Sequence, residues 1–245
     1  MKTPLRIASA FSLALLATAP IGTKARAAVC TARSGQFTPH LIELYTSEGC
    51  SSCPPADSWL NGLREDARVV ALEFHVDYWD ALGWHDPFGS AGYSARQDAL
   101  GKKSRSHIVY TPEVALDGRE WREWSRAPIP APTATELPIT LEVTSAKTVR
   151  ARLVAEKDAP ADWRITYALV ESGLSSDIRA GENTGRTLKH EHVVRALAGP
   201  LPFGASAELE PPAELVTANA AVVAFATDAQ ANVVATIEQA LNECR

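Results

Sequence analysis

Cys50 and Cys53 stand two residues apart in the run Gly49-Cys50-Ser51-Ser52-Cys53-Pro54-Pro55, and of all the side chains in this sequence they are the ones best suited to chemistry. The spacing lets one sulfur reach the other, so a mixed disulfide formed with a partner at Cys50 can be resolved by attack from Cys53. The same pair could serve as a permanent covalent clip. It could also act with a histidine such as His75 as a soft site for Cu(I) or Zn(II). His75 and Asp77 lie two residues apart at the end of an apolar run, so their side chains leave in one direction and could carry protons, bind metal or simply anchor a loop. His190 and His192 share that spacing, as a two-point metal site or as a solvated strand face. Trp79, Trp84, Phe88, Trp121 and Trp124 either line a groove for a peptide-like partner or fill space beneath a long loop. No phosphate-binding glycine loop, hydrolase triad or zinc-deaminase signature is present.

The elements that would position the cysteines follow from the pattern around them. Residues 40–45 read as a strand emptying into the cysteine loop, and residues 56–63 carry apolar positions at helical spacing with prolines placed ahead of them. Residues 68–76 are a nearly continuous apolar run of strand length, as expected of a strand covered on both faces. Strand, loop, helix, strand is a βαβ opening. It places the cysteines where unpaired backbone N–H groups and the positive end of a helix favour a thiolate, lowering a thiol from ~8.5 toward ~3.5–7.5. Residues 77–88 are aromatic and glycine-rich, an ordered surface loop. A helix over 94–103 precedes a strand that is approached through Tyr110-Thr111-Pro112 and closed by the Asp117-Gly118 turn.

Residues 127–138 hold four prolines and mark a linker between a first domain, 28–126, and a second region, 139–245. The second region is read as mostly β, with strand-like runs at 139–143, 149–155, 165–170, 188–194 and 220–226, and a single helix over 231–241.

Compartment and charge narrow the function. A basic start, an apolar run from Ile7 to about Pro20 and the small-residue triplet ending at Ala27 have the pattern of a signal peptide over residues 1–27. The apolar core is shorter than the ~20 residues of a membrane-spanning helix, and no later stretch comes closer. Those 27 residues hold four of the 24 basic residues and none of the 29 acidic ones, so the mature chain carries a formal charge of −9, which argues against a nucleic-acid binder. In an oxidising compartment, periplasmic or secreted, the remaining two cysteines, Cys30 and Cys244, are expected to pair as a structural disulfide spanning nearly the whole mature chain, the alternative being two separate thiols.

The run Thr46 to Asp57, with Tyr110-Thr111-Pro112 some sixty residues on, resembles the thioredoxin superfamily. More narrowly, Leu44 to Asp57, His75-Val76-Asp77-Tyr78-Trp79-Asp80, Gly83-Trp84, Arg96-Gln97, Tyr110-Thr111-Pro112, Gly181 to Leu188 and Val193-Val194-Arg195 together resemble the exported domain-of-unknown-function 1223 family. That resemblance implies an α/β fold, a thioredoxin-like βαβ…ββ domain followed by the mostly β region. It also implies Cys50 as attacking thiol, Cys53 as resolving thiol, and Pro112 as a cis-proline that, with Thr111, aligns a partner's backbone. Because Pro54 and Pro55 cannot sit inside a helix already under way, the helix is expected to start only near Cys53 or Pro54. The expected activity is thiol-disulfide exchange with protein thiols or disulfides. It needs no diffusible cofactor, only a redox partner protein. A Cu/Zn-binding role and a non-catalytic interaction module with a structural disulfide stand as alternatives.

Overall fold

The computed structural model describes residues 27–104 and 108–244. The signal-peptide reading falls on residues 1–26, outside that range, and on Ala27 at its edge. Strands β1 (Ala28–Arg33), β2 (Phe37–Thr38) and β3 (His40–Thr46) lead into helix α1 (Pro54–Asn61) and β4 (Val69–His75). Helix α2 (Ala91–Lys103) precedes β5 (Glu113–Leu116), β6 (Arg119–Glu120) and β7 (Thr133–Ala134). Then come β8 (Ile139–Ser145), β9 (Val149–Ala155), β10 (Arg164–Glu171), β11 (Leu174–Asp177), β12 (Thr187–His190), β13 (Val193–Pro202), β14 (Ser206–Leu209), β15 (Ala220–Thr227) and β16 (Val233–Ala240).

The expectation of an α/β, thioredoxin-like fold is overturned. Among the described residues there are sixteen strands and two α-helices, and the chain is mostly β. The local βαβ unit does form, with β3 and β4 parallel and α1 between them. Its strands, however, are absorbed into an eight-stranded sheet ordered β16-β15-β10-β13-β4-β3-β5-β6, in which strands from both sides of the proline-rich segment 127–138 pair directly. Only β3/β4 and β4/β13 are parallel in that sheet. A second sheet, β1-β8-β9-β14, packs over its β10–β15–β16 end.

The alternation of side chains explains the layering. On β10, Ile165, Tyr167 and Leu169 enter the core shared with the four-stranded sheet, whereas Ala168 and Val170 point to the opposite face, where Phe74, Tyr93 and Phe225 gather. On β4, Ala71 lies on the face covered by α1, together with Ile42, Leu44, Ala56 and Leu60. Glu73 and His75 are two and four residues further on, so they continue that α1 face toward the end of the strand. Both faces of β3 and β4 are covered, so nearly every residue of the two strands is buried, including the carboxylates Glu43 and Glu73 that interrupt their apolar runs.

Two local readings change and a third holds. Residues 231–241 are not a helix: their β-branched Val233, Val234, Thr236 and Ile237 form the edge strand β16, hydrogen-bonded along β15. The run 188–194 is broken at Glu191–His192, where His192 takes a left-handed φ of 57°, so His190 ends one strand and His192 lies beyond it. The segment after Pro112 is extended only from Glu113, and Asp117 and Gly118, with φ of 51° and 73°, make the two-residue turn into β6.

Candidate functional site

Cys53 is the residue that caps α1, and Pro54 and Pro55 occupy the first two helical positions, where no intrahelical N–H is required. Cys50 lies one turn before the helix, its carbonyl accepting from Cys53 N–H at 3.2 Å. The two cysteines form a disulfide, and a second one joins Cys30 on β1 to Cys244 beyond β16. Thr111-Pro112 is a cis peptide bond adjoining the cysteine loop: Ser52 Oγ donates to Thr111 O at 3.4 Å and contacts Cys50 Sγ at 3.3 Å.

The disulfide is covered. Cys50 and Cys53 are both 0% exposed, although Ser51 and Ser52 between them face solvent. The 181–186 turn is fastened to the cysteine loop: Asn183, itself fully buried, donates through Nδ2 to Glu48 O and Cys50 O, both at 2.9 Å, and Ser51 N–H donates to Glu182 Oε2 at 3.0 Å. An open cleft of about 600 Å³ beside α1 is lined by Pro54, Asp57, Asn61, Arg186 and Leu188, among others, but by neither cysteine.

Beneath the loop lies a cluster of charge. His75 Nδ1 faces Asp86 Oδ2 at 2.7 Å and its Nε2 faces Glu73 Oε1 at 3.2 Å. His190 Nδ1 faces the same Glu73 oxygen at 2.7 Å, and its Nε2 faces Glu48 Oε1 at 3.2 Å. Glu73 Oε2 has no partner among the described residues. Burial works against charge on both imidazoles, but the facing carboxylates overcome it, holding His75 well above the ordinary histidine range and His190 up at about 9. Burial would raise Glu73, yet His190 and His75 hold it down at about 2. Asp57, one helical turn after Cys53 and hydrogen-bonded by Thr46 Oγ1 at 2.6 Å, is pushed up to about 7 by burial and by the charge of Glu73.

The sequence-derived site residues therefore divide. Cys50, Cys53, Thr111 and Pro112 come together, and His75 lies under them in the charged cluster. Asp77 does not join His75: it is past the strand end and accepts from Ser94 Oγ at 2.5 Å. Trp79 donates to Thr111 Oγ1 and Trp84 to Glu48 Oε2, both at 2.8 Å, so each half-buried indole is tied to the site by its N–H. Trp121 and Trp124 pack instead on Trp59 of α1. His190 is buried, not on a solvated strand face, and His192 Nε2 is left unpaired in a separate position. Sequence reasoning missed Glu48, Asp57, Glu73, Asp86 and Asn183 as site residues. One signal was available: a single carboxylate, Glu73, within the apolar run of a doubly covered strand has to be held by something.

The model of a family described as "Protein of unknown function (DUF1223)" matches residues 41–233. The chain belongs to the DUF1223 family. The matched stretch contains the cysteine loop, the cis-proline, the charged cluster and the covering turn of this DUF1223 protein. Among solved structures, protein AGR_C_4864 from Agrobacterium tumefaciens is similar with a TM-score of 0.60 and 22% identity, over 86% of this chain and 98% of that one. HBP35 of Porphyromonas gingivalis is similar with a TM-score of 0.59 and 15% identity, over 85% of this chain and 77% of that one. At these identities the likeness is one of fold. No curated protein matches the chain. Among the described residues no helix is long and apolar enough to cross a membrane.

Proposed function

We propose that this DUF1223 protein exchanges disulfides with protein thiols through Cys50 and Cys53, and that the 181–186 turn gates the exchange. The observation that supports it most is the juxtaposition of a Cys-x-x-Cys disulfide, at the mouth of α1, with the cis Thr111-Pro112 bond. In the direction that starts from the disulfide, a partner thiolate attacks Cys50 Sγ and the Cys50–Cys53 bond breaks, its electron pair leaving on Cys53 Sγ. Cys53 then takes up a proton, for which the buried Asp57 carboxyl one turn along α1 is the nearby store. The partner's second thiolate attacks its own sulfur in the mixed disulfide and releases Cys50. Two electrons have moved from the partner dithiol to the cysteine pair, and a second redox protein is needed to remove them. Such chemistry belongs in an oxidising compartment, periplasmic or secreted, where the Cys30–Cys244 disulfide also persists.

The complete burial of both cysteines favours a second reading, a permanent clip that holds the loop onto α1. A Cys53→Ala variant separates the two. Incubated with a disulfide-linked model peptide, it is expected to accumulate a peptide adduct at Cys50, found by mass spectrometry. If no adduct forms, even when Cys53→Ala is combined with Asn183→Ala to loosen the cover, exchange is ruled out and the clip reading stands.

A further inference from the structure

The buried cluster under the cysteine loop is organised for a cation. We infer that His75, His190 and Glu73 form a zinc(II) site that makes no use of the cysteines. The inference goes beyond disulfide exchange and stands or falls separately from it.

The argument begins with the two imidazoles. Each has one nitrogen turned outward to a pinned carboxylate. His75 Nδ1 meets Asp86, whose Oδ2 also accepts Glu48 N–H at 2.8 Å and whose Oδ1 accepts Phe88 N–H at 2.9 Å. His190 Nε2 meets Glu48, whose other oxygen accepts from Trp84 Nε1. Carboxylates fixed in this way hold each outer nitrogen as the N–H and leave the inner nitrogen as a donor of electron pairs, the usual support around metal-bound histidines. The inner nitrogens, His75 Nε2 and His190 Nδ1, both turn toward Glu73, and donor atoms of the three residues all lie within 4.8 Å of one another.

Protons alone fill this arrangement poorly. Both inner N–H groups would have to converge on the single atom Glu73 Oε1, at 3.2 and 2.7 Å, while Oε2, fully buried, receives nothing. Leaving a buried carboxylate oxygen without a partner is costly. One divalent ion replaces the two inner protons with no change in net charge and supplies Oε2 with a partner. Zinc–nitrogen and zinc–oxygen bonds of ~2.0–2.2 Å space tetrahedral donors roughly 3.3 Å apart, so His75 Nε2 and Glu73 Oε1 are already at ligand spacing and the His190 contact has to open by about half an ångström. Two imidazoles and a carboxylate suit zinc, with the second Glu73 oxygen bound at the narrow bite of a single carboxylate, so that the tetrahedron is a distorted one. Phe88 closes the cluster on one side, its ring 5.2 Å from that of His75 and 5.8 Å from that of His190.

The test uses the full chain in its disulfide-bonded form, in which no cysteine can act as a thiolate ligand. After exposure to zinc(II) and removal of excess by gel filtration, elemental analysis is expected to find about one zinc per chain, and zinc is expected to raise the thermal midpoint. Cobalt(II) in its place should give the visible absorption of a tetrahedral site. Glu73→Gln and His190→Gln should lose the metal, whereas a Cys50→Ser/Cys53→Ser double variant should keep it. Should either cluster variant fail to fold, the wild-type stoichiometry, its thermal shift and the cysteine variant still decide the matter. Folded wild-type protein that retains no zinc and shows no shift overturns the inference, as does metal that disappears with the cysteines and not with Glu73 or His190.

Discussion

Asn183→Ala tests the gate directly. The Asn183 amide is fully buried and donates two hydrogen bonds, to Glu48 O and Cys50 O. Truncation removes both: Cys50 O keeps the Cys53 N–H, whereas Glu48 O, covered in the closed state, is left without its partner. A net hydrogen bond is worth about 0.5–1.5 kcal/mol, and a buried group left unsatisfied costs about 1–3 kcal/mol, so closure of the turn should weaken by roughly 2–4 kcal/mol. If reduction of Cys50–Cys53 proceeds through a rare open state in rapid equilibrium with the closed one, the rate scales with the open population and should rise roughly 30- to 1,000-fold. The assay is reduction by dithiothreitol in native buffer, with timed maleimide quenching and mass spectrometry that distinguishes the two disulfides. Cys30–Cys244, which lies at the far sheet and is itself half-buried, is the internal control for the reactivity of a disulfide away from the turn. A variant that reduces Cys50–Cys53 at the wild-type rate, or accelerates both disulfides equally, refutes the idea that this turn seals the site.

Other parts of the structure make further quantitative demands. Arg96, partly buried, pairs with the buried Glu43 at 2.6 Å and lies over the rings of Phe74 and Phe225, so Arg96→Ala strands a carboxylate in the core and should cost about 2–4 kcal/mol in urea unfolding. Glu113 is buried, and burial pushes its carboxyl up to about 7 despite the Gln97 amide that donates to it. Its folded state therefore holds a proton that the unfolded state releases near 4.5. The stability it contributes is present below that value and lost as pH rises toward 7, up to about 3 kcal/mol. Glu113→Gln should flatten the fall in urea midpoint between roughly pH 5 and 8, and an unchanged slope would contradict the assignment. Replacing Cys30 and Cys244 by serine should cost about 2–5 kcal/mol, read from the thermal midpoint, because the link restrains the unfolded chain over a sequence separation of 214.

What could be read in the sequence was local. The strand-to-helix setting of Cys50 and Cys53, the late start of α1 forced by Pro54 and Pro55 and the Asp117-Gly118 turn each depend on a few adjacent residues, whereas the cis Thr111-Pro112 bond was expected only from the family resemblance. The architecture was not legible, because it depends on pairing between strands far apart in sequence. Nothing in residues 69–75 or 193–202 announces that β4 and β13 lie side by side and join the two halves into one sheet. Ala231 to Leu241 carries apolar residues at spacings compatible with either helix or strand, and the edge pairing of β16 with β15 decides the outcome. The cluster failed for the same reason: Glu48, Glu73, Asp86 and His190 meet across as many as 142 positions, and only the fold brings their charges together.

The reduction potential of the Cys50–Cys53 pair is the measurement closest to the claim of exchange. Equilibrating the protein against defined thiol–disulfide buffers, with mass spectrometry to separate this pair from Cys30–Cys244, should give a value in the range of exchange proteins, roughly −270 to −120 mV. A value below about −300 mV would make the disulfide resistant to cellular thiols and would contradict the assignment.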